Sequence, residues 1–312
     1  RIGTAIQGVC HAELSFQGAL PYALERRSMR ALSGKKEPDQ VADALVWHPD
    51  VRRMLLTQKA IAEGGRAMIY SAAQIADKMF SAVLAGDQKQ YEAYDSELGF
   101  FTPILKGFIT EMGLEAANLG MQVFGGHGYI QGHGMEQIAR DARIATLYEG
   151  TTGIQALDLL GRKVLLGTKG KCVRDFSATM LSLAKPHLFS RGPLGSMARS
   201  LLLRAGQWNL LTTRLLLRAL RDKEQVGAAS YDFLMYSGFC MMAHFWLLQA
   251  IRASEQLASG SGAESAAFYQ AKIETAQFYF ARLLPRANSH HVAALASTAS
   301  LMQTDKDNLR IA

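Results

Sequence analysis

Proline is scarce in this 312-residue chain, at 7, and cysteine scarcer still, at 3. With few prolines, long stretches are free to run as helix, since little removes a backbone donor or clashes with the preceding turn. Cys10, Cys172 and Cys240 lie too far apart for a redox or metal motif, and fit buried thiols in a reducing cytosol better than a disulfide framework. The histidines show no ligand spacing such as His-Glu-x-x-His, so no metal site is expected. Strand-like alternation of apolar and polar residues is missing at any useful length. The densest apolar run, Phe239 to Ile251, is interrupted by His244 and Gln249 and falls short of the roughly 20 residues that span a bilayer.

What is present favours helix. Hydrophobic residues make up 49% and charged ones only 20%, which is a globular and not a disordered balance. Residues 2–24 place Ile2, Ile6, Val9, Leu14, Phe16 and Leu20 mostly at helical intervals. Pro49 starts a second helix that runs to about Leu84, closed by Gly86-Asp87. A third runs from Gln88 to Met121 with a bend near Gly99 and Pro103, followed by a Gly-rich loop, a short helix over 135–145 and another from Thr151 to about Leu166. The expected fold is all-α: an antiparallel four-helix bundle over residues 1–167, then a second helical domain over 168–312, divided at Gly167-Thr168-Lys169-Gly170-Lys171. In the second part, helices are expected at about 172–186, 194–222, 226–259, 263–286 and 288–303. Arg1 already lies in a helical pattern without an initiator Met or signal peptide, so the chain is expected to be the C-terminal part of a longer protein.

Two segments carry the chemistry. In Tyr148-Glu149-Gly150-Thr151-Thr152 a single carboxylate follows Ile144, Ala145 and Leu147, whose apolar surface could desolvate it and raise its pKa toward that of a useful base. Gly150 leaves room beside it for a substrate, and Thr151 or Thr152 can cap the helix that follows. The same spacing equally fits an ordinary turn before a helix, where acidic residues are favoured by the dipole. Some twenty residues upstream, Gln122-Val123-Phe124-Gly125-Gly126-His127-Gly128 bares backbone amides that could approach a pyrophosphate, or serves only as a helix stop. It is no dinucleotide fingerprint, because no strand precedes it. His127 and His133 read as loop hydrogen-bonders, and Arg140-Asp141-Ala142-Arg143 as ion pairs fastening that loop to the bundle. Arg26 and Arg27 sit where a helix end favours cations, or where a phosphate is held. The net charge of +7 draws on a cluster of arginines at 191, 199, 204, 214, 218 and 221, read first as a solvated helix face and second as a surface for nucleotide, CoA or DNA.

Together these pieces resemble the C-terminal domain of the acyl-CoA dehydrogenase family, over roughly residues 1–166. The resemblance rests on Glu25-Arg26-Arg27-Ser28 closing the first helix, the Gln122-to-Tyr129 loop, Arg140-Asp141-Ala142-Arg143 and the Glu149 segment, in that order and at those separations. It implies that Glu149 is the base removing the pro-R α-proton of an acyl-CoA while the β-hydride passes to FAD, giving a trans-2-enoyl-CoA. The thioester oxygen would be held by the Glu149 amide and a ribityl hydroxyl. It further implies that Arg26, Ser28, Gln122, Gly125 and Gly126 hold the FAD of a neighbouring subunit in a homodimer or homotetramer. Thr151 would contact the subunit's own FAD, with Arg1, Tyr148 and Gly150 on the substrate side. An electron-transfer flavoprotein would take the electrons, in a bacterial cytoplasm.

The chain departs from the family pattern at Met29, where an aromatic is usual, at Gly153, where a long polar side chain is usual, and in an insertion from Gly34 to Trp47. The family's N-terminal helical and β domains are not in this sequence, so the resemblance implies that the chain alone holds FAD weakly and is inactive. The tail resembles the extra helical domain of larger bacterial members, including those acting on methylthio-substituted propionyl-CoA. Alkylation-response relatives, which hold DNA through a basic helical C-terminal region, offer a second reading, and a scaffolding or oligomerisation module a third.

Overall fold

The computed structural model describes residues 1–310. Three long helices form its frame: α1 (Ile2–Glu25), α2 (Pro49–Leu84) and α3 (Gln88–Phe124). Pro49 occupies the first turn of α2, where its fixed φ suits a helix and its missing N–H is not needed. The Asp87 carboxylate caps α3 by accepting from the Gln90 amide at 3.0 Å. Pro103 lies inside α3 without ending it, so the helix runs unbroken past the expected bend, and three residues beyond the expected end at Met121. A buried node ties the three together: the Ser15 hydroxyl on α1 contacts Gln58 Oε1 on α2 at 2.9 Å and the Ala116 carbonyl on α3 at 3.0 Å.

The closest approach is between α1 and α3. A Cβ on Gly113 would collide with the backbone of Gly8, and one on Gly8 with the backbone of Ile109. Glycine at these two positions therefore sets the distance between the helices. Three short helices complete the first part: α4 (Gly126–Tyr129), α5 (Met135–Ala145) and α6 (Thr152–Leu157), the last continuing in π-helical turns over Asp158–Gly167.

The remaining helices are α7 (Lys171–Ala184), α8 (Pro193–Ala219), α9 (Glu224–Ser259), α10 (Ala266–Phe278), α11 (Ala287–Ala294) and α12 (Ala299–Met302). The last expected helix, 288–303, is interrupted between α11 and α12. Every residue from Phe233 to Leu247 on α9 is buried. This helix is in fact long and apolar enough to cross a membrane by length and composition, contrary to the sequence expectation, but 89% of its most apolar stretch lies inside the protein. Its central stretch is a core helix enclosed by protein.

α9 also joins the two parts. Trp246, fully buried, donates its indole N–H to the Ala60 carbonyl of α2 at 3.2 Å, and Arg286 meets Glu115 of α3 at 2.7 Å. One continuous apolar cluster runs from Ala5 to Ala294. Of the three thiols expected to be buried, Cys240 is, Cys172 is partly so, and Cys10 is exposed, because it falls on the outer face of α1.

Gly113→Ala is expected to lower stability by about 1–2 kcal/mol. Helix propensity would favour alanine by up to ~1 kcal/mol, but overpacking costs ~1–3 kcal/mol, and backbone atoms cannot swing aside as side chains do. Urea unfolding followed by circular dichroism measures the difference, and an unchanged or raised midpoint would refute the close crossing.

Candidate active site

The chain leaving α1 folds into a loop organised around a carboxylate that sequence reading passed over. Asp43 is fully buried and accepts from the amides of Ala31 (2.8 Å), Glu37 (2.9 Å) and Lys36 (3.0 Å) and from Arg30 Nη1 (3.2 Å). Its backbone pairs with the other side of the loop, Asp43 N–H to the Met29 carbonyl at 3.0 Å and Ser28 N–H to the Asp43 carbonyl at 3.1 Å. The Ala31 amide first, then those of Glu37 and Lys36 and the Arg30 guanidinium, hold the carboxyl far below the usual carboxylate range despite its burial. Met29, the residue replacing an aromatic, is exposed with φ +59°, so its backbone serves this turn and its side chain stacks on nothing.

This loop places one wall of an open groove of about 650 Å³. Arg26 and Ser28 line it from the α1 side, Gln122, Gly125 and Gly126 from the end of α3. All five residues expected to hold a cofactor diphosphate and adenosine from this region thus meet in one place. Tyr22 stiffens the floor: its ring stacks on Phe124 at 4.0 Å and its hydroxyl meets His127 Nδ1 at 2.9 Å, a loop-bonding role as expected for that histidine. Arg27 is turned away onto Glu37 at 2.6 Å, while Arg26 makes no ion pair among the described residues. A Cβ at Gly125 or Gly126 would meet no atom within 4 Å, so those glycines keep open space on the groove side. Thr151 lies outside this groove.

The second cluster is the turn between α5 and α6. Glu149 has φ +53° and Gly150 φ +91°, two successive left-handed residues. The Gln155 side-chain amide, enclosed beneath, donates to the Glu149 carbonyl at 3.2 Å and the Gly150 carbonyl at 3.4 Å. Lys106 of α3, also fully enclosed, donates to the Gly150 carbonyl at 2.7 Å. Thr151 caps α6 by accepting from the Ile154 amide at 3.4 Å, and the Thr152 hydroxyl meets Glu111 Oε1 at 2.6 Å. Among the described residues no acceptor meets the Glu149 N–H.

The Glu149 side chain does not match the expected desolvation. It is 52% exposed, and its carboxyl lies below the ordinary value instead of above it. The Thr4 hydroxyl, donating to Glu149 Oε2 at 2.6 Å, is the main cause, and the Lys106 ammonium adds to it. Ile144 and Leu147, expected to wall it off, are themselves exposed. At Gly150, whose φ is +91°, a Cβ would strike the Gln155 side chain, so glycine is required by the turn and its underside. The Arg1 guanidinium is bonded to Asp158 at 2.7 Å, and the Tyr148 hydroxyl to Gln7.

Other motifs resolve into structure. Arg140, Asp141 and Arg143 make no ion pairs among the described residues. Asp141 accepts from Gln137 at 2.7 Å and Arg143 donates to the Thr146 hydroxyl at 2.9 Å, so α5 is fastened by its buried Met135, Ala142 and Ala145 instead of by charge. The arginine cluster is partly consumed: Arg204 is buried against Asn288, Arg199 donates to the Leu188 carbonyl and Arg218 to the Leu295 carbonyl. Thr4, Lys106 and Gln155 escaped sequence reading. Only Lys106 left a trace, as the single charge among Phe100, Phe101, Ile104, Leu105, Phe108 and Ile109.

Residues 1–165 match the family described as "Acyl-CoA dehydrogenase, C-terminal domain", and residues 172–305 the one described as "Acetyl-CoA dehydrogenase C-terminal like". The chain is 38% identical over 292 residues to the 3-methylmercaptopropionyl-CoA dehydrogenase of Ruegeria pomeroyi, covering 93% of this chain and 48% of that protein. It is 29% identical over 336 residues to a broad-specificity linear acyl-CoA dehydrogenase of Mycobacterium tuberculosis, covering 100% and 50%. The chain therefore spans about half the length of these curated relatives. Its fold is similar to that of an acyl-CoA dehydrogenase from Bacillus anthracis solved with FAD, at TM-score 0.68 and 15% identity over 97% of this chain and 50% of that one. It is equally similar to Caenorhabditis elegans ACDH-11 solved with C11-CoA, at TM-score 0.68 and 17% identity over 89% and 42%.

Two outcomes follow from the titrating groups. Thr4→Val removes the largest cause of the low Glu149 value, so the Glu149 carboxyl resonance is expected to titrate at higher pH in the variant; an unmoved midpoint would count against the bond. For Asp43 the folded-state value is depressed, so its contribution to stability is complete above about pH 5 and fades as pH falls below about 4, where the unfolded chain takes up the proton first. Asp43→Asn should be less stable at neutral pH and lose less stability on acidification than the parent, as thermal unfolding across that range would show.

Proposed function

The chain belongs to the acyl-CoA dehydrogenase family, and from that premise we propose that it forms the C-terminal part of an FAD-dependent enzyme that introduces a trans-2 double bond into an acyl-CoA thioester. The observation that carries this reading is the convergence of Arg26, Ser28, Gln122, Gly125 and Gly126 on one open groove, from two segments almost a hundred residues apart. Arg26 supplies an unpaired cation for a diphosphate, and the two glycines let the backbone come close to it. Thr151, outside that groove, fits contact with a second flavin, so a homodimer or homotetramer in which each FAD lies between subunits accounts for both sets. Bound FAD would supply the acceptor for the hydride leaving the β-carbon. Electrons would then pass to an electron-transfer flavoprotein.

In this reading Glu149 takes the α-proton. Its low value in the free chain means the carboxylate is ionised and ready to accept. The arriving acyl-CoA, with the rest of the enzyme over the exposed Ile144, Leu147, Tyr148 and Ile154, displaces water and strengthens the base at the moment of reaction. The unbonded Glu149 N–H is free to donate to the thioester oxygen, where negative charge develops as the α-proton leaves. Arg1, bonded to Asp158, and Tyr148, bonded to Gln7, stand on the substrate side in this reading.

The test uses the complete flavoenzyme and a panel of acyl-CoAs under anaerobic conditions. Flavin bleaching is expected with some chain lengths, and Glu149→Gln should slow it about 10²–10⁴-fold. Bleaching at the parental rate in the variant would remove Glu149 from the chemistry. The 312-residue chain by itself is expected to purify without stoichiometric flavin; a yellow, fully loaded preparation would show that the remaining domains are dispensable for binding.

A further inference from the structure

Lysine is rarely fully enclosed unless its charge is paired, yet Lys106 has no exposed surface and no carboxylate within ion-pair distance among the described residues. Its ammonium ends on a backbone carbonyl, that of Gly150, at 2.7 Å. A side chain that only filled the core between Leu105 and Phe108 would be better served by leucine or methionine, which carry no desolvation cost. The cost is accepted directly beneath a stretch of backbone that holds two left-handed residues in succession, Glu149 and Gly150; the other such pair among the described residues, Lys169 and Gly170, has no enclosed cation on its carbonyls.

For Glu149 that conformation is unfavourable, because its Cβ crowds the following carbonyl, by roughly 1–2 kcal/mol. Something outside the turn must therefore hold it. Both carbonyls of the left-handed pair are met by enclosed donors: Gln155 reaches the two of them, and Lys106 adds a charge-assisted bond to the second. From the other side Thr152 is tied to Glu111, on the same helix as Lys106. The turn is thus fixed from α3 and α6, while the Glu149 amide is left without a partner.

We propose that Lys106 is the positioning residue of this turn: its bond to the Gly150 carbonyl locks the left-handed pair and so sets the directions in which the Glu149 amide and carboxylate are presented. The proposal rests on the reading of Glu149 as base and amide donor, and adds the device that preorganises both. The charges facing the turn are Arg1 just before α1, Lys106 and Glu111 on α3, and Asp158 with its partner Arg162 in the π-helical turns after α6. Lys106 is the enclosed cation among them, so removing it changes both the geometry and the field at the carboxylate.

Lys106→Met keeps the length of the stem and deletes the donor and the charge. In the 312-residue chain, isotope-edited NMR is expected to show loss of the left-handed backbone signature at Glu149 and a higher titration midpoint for its carboxyl. In the complete flavoenzyme the same variant should slow flavin reduction about a hundredfold, as a misplaced reacting group does, with acyl-CoA affinity within about threefold of the parent. A lysine that merely stabilised the fold would lower the unfolding midpoint and leave signature and titration unchanged, and that result overturns the proposal. If the methionine variant does not fold, Lys106→Gln, shorter and neutral, is read in the same way. Loss of the signature with undiminished flavin reduction would support the role of Lys106 and overturn instead the reading of Glu149 as base.

Discussion

Where α1 and α3 cross, at Gly8 and Gly113, no side chain stands between the two backbones. Both clusters described above are built across this pair of helices. Toward one end, Thr4 on α1 and Lys106 on α3 reach the two sides of the Glu149 turn, the first at its carboxylate and the second at its underside. Toward the other end, Arg26 just past α1 and Gln122 near the end of α3 face each other across the groove. A bundle spaced by ordinary side chains would sit 8–10 Å between axes, and each of these polar contacts tolerates far less slack than that range. With the helices this close, Thr4 of α1 and Lys106 of α3 both reach the single turn at Glu149 and Gly150.

The second part of the chain reinforces that frame. α9 lays Trp246 and Met242 against Gly64 of α2, another position where a Cβ would clash, and its Leu234 fills the space left by Gly107 on α3, next to Lys106. The packing of α3 at this point thus depends on a residue more than a hundred positions later. The central stretch of α9 is apolar because protein encloses it, which explains how a helix of membrane-like composition belongs inside a helical bundle.

The helices were legible because burial leaves a 3.6-residue period and because caps and prolines mark their ends; the starts of α2, α3, α5 and α6 fall at or beside the expected residues. Five residues picked out through a resemblance, from segments far apart in sequence, line one groove. What sequence could not reveal is the set of long-range polar bonds. Asp43 reads as one acid in a polar loop, and nothing nearby announces four donors converging on it. Glu149 was expected to be buried because its neighbours are apolar. Apolar neighbours desolvate a carboxylate only if they fold over it, and Ile144 and Leu147 face outward.

That outward face changes how the proposed base has to work. A carboxylate buried permanently would carry a raised pKa at all times and would be partly protonated, and so unavailable, before substrate arrived. Glu149 is instead held ionised by the Thr4 hydroxyl and the Lys106 ammonium, and its turn is shaped from below by Lys106 and Gln155. In the proposed reaction, increased basicity arrives only with the acyl chain that excludes water. The chain then has a division of labour: its enclosed polar groups fix where the carboxylate and amide point, while its exposed apolar rim waits for the surface that completes the desolvation. Geometry set in advance costs nothing at the moment of proton transfer. Desolvation delivered by the substrate is spent only when there is a proton to take.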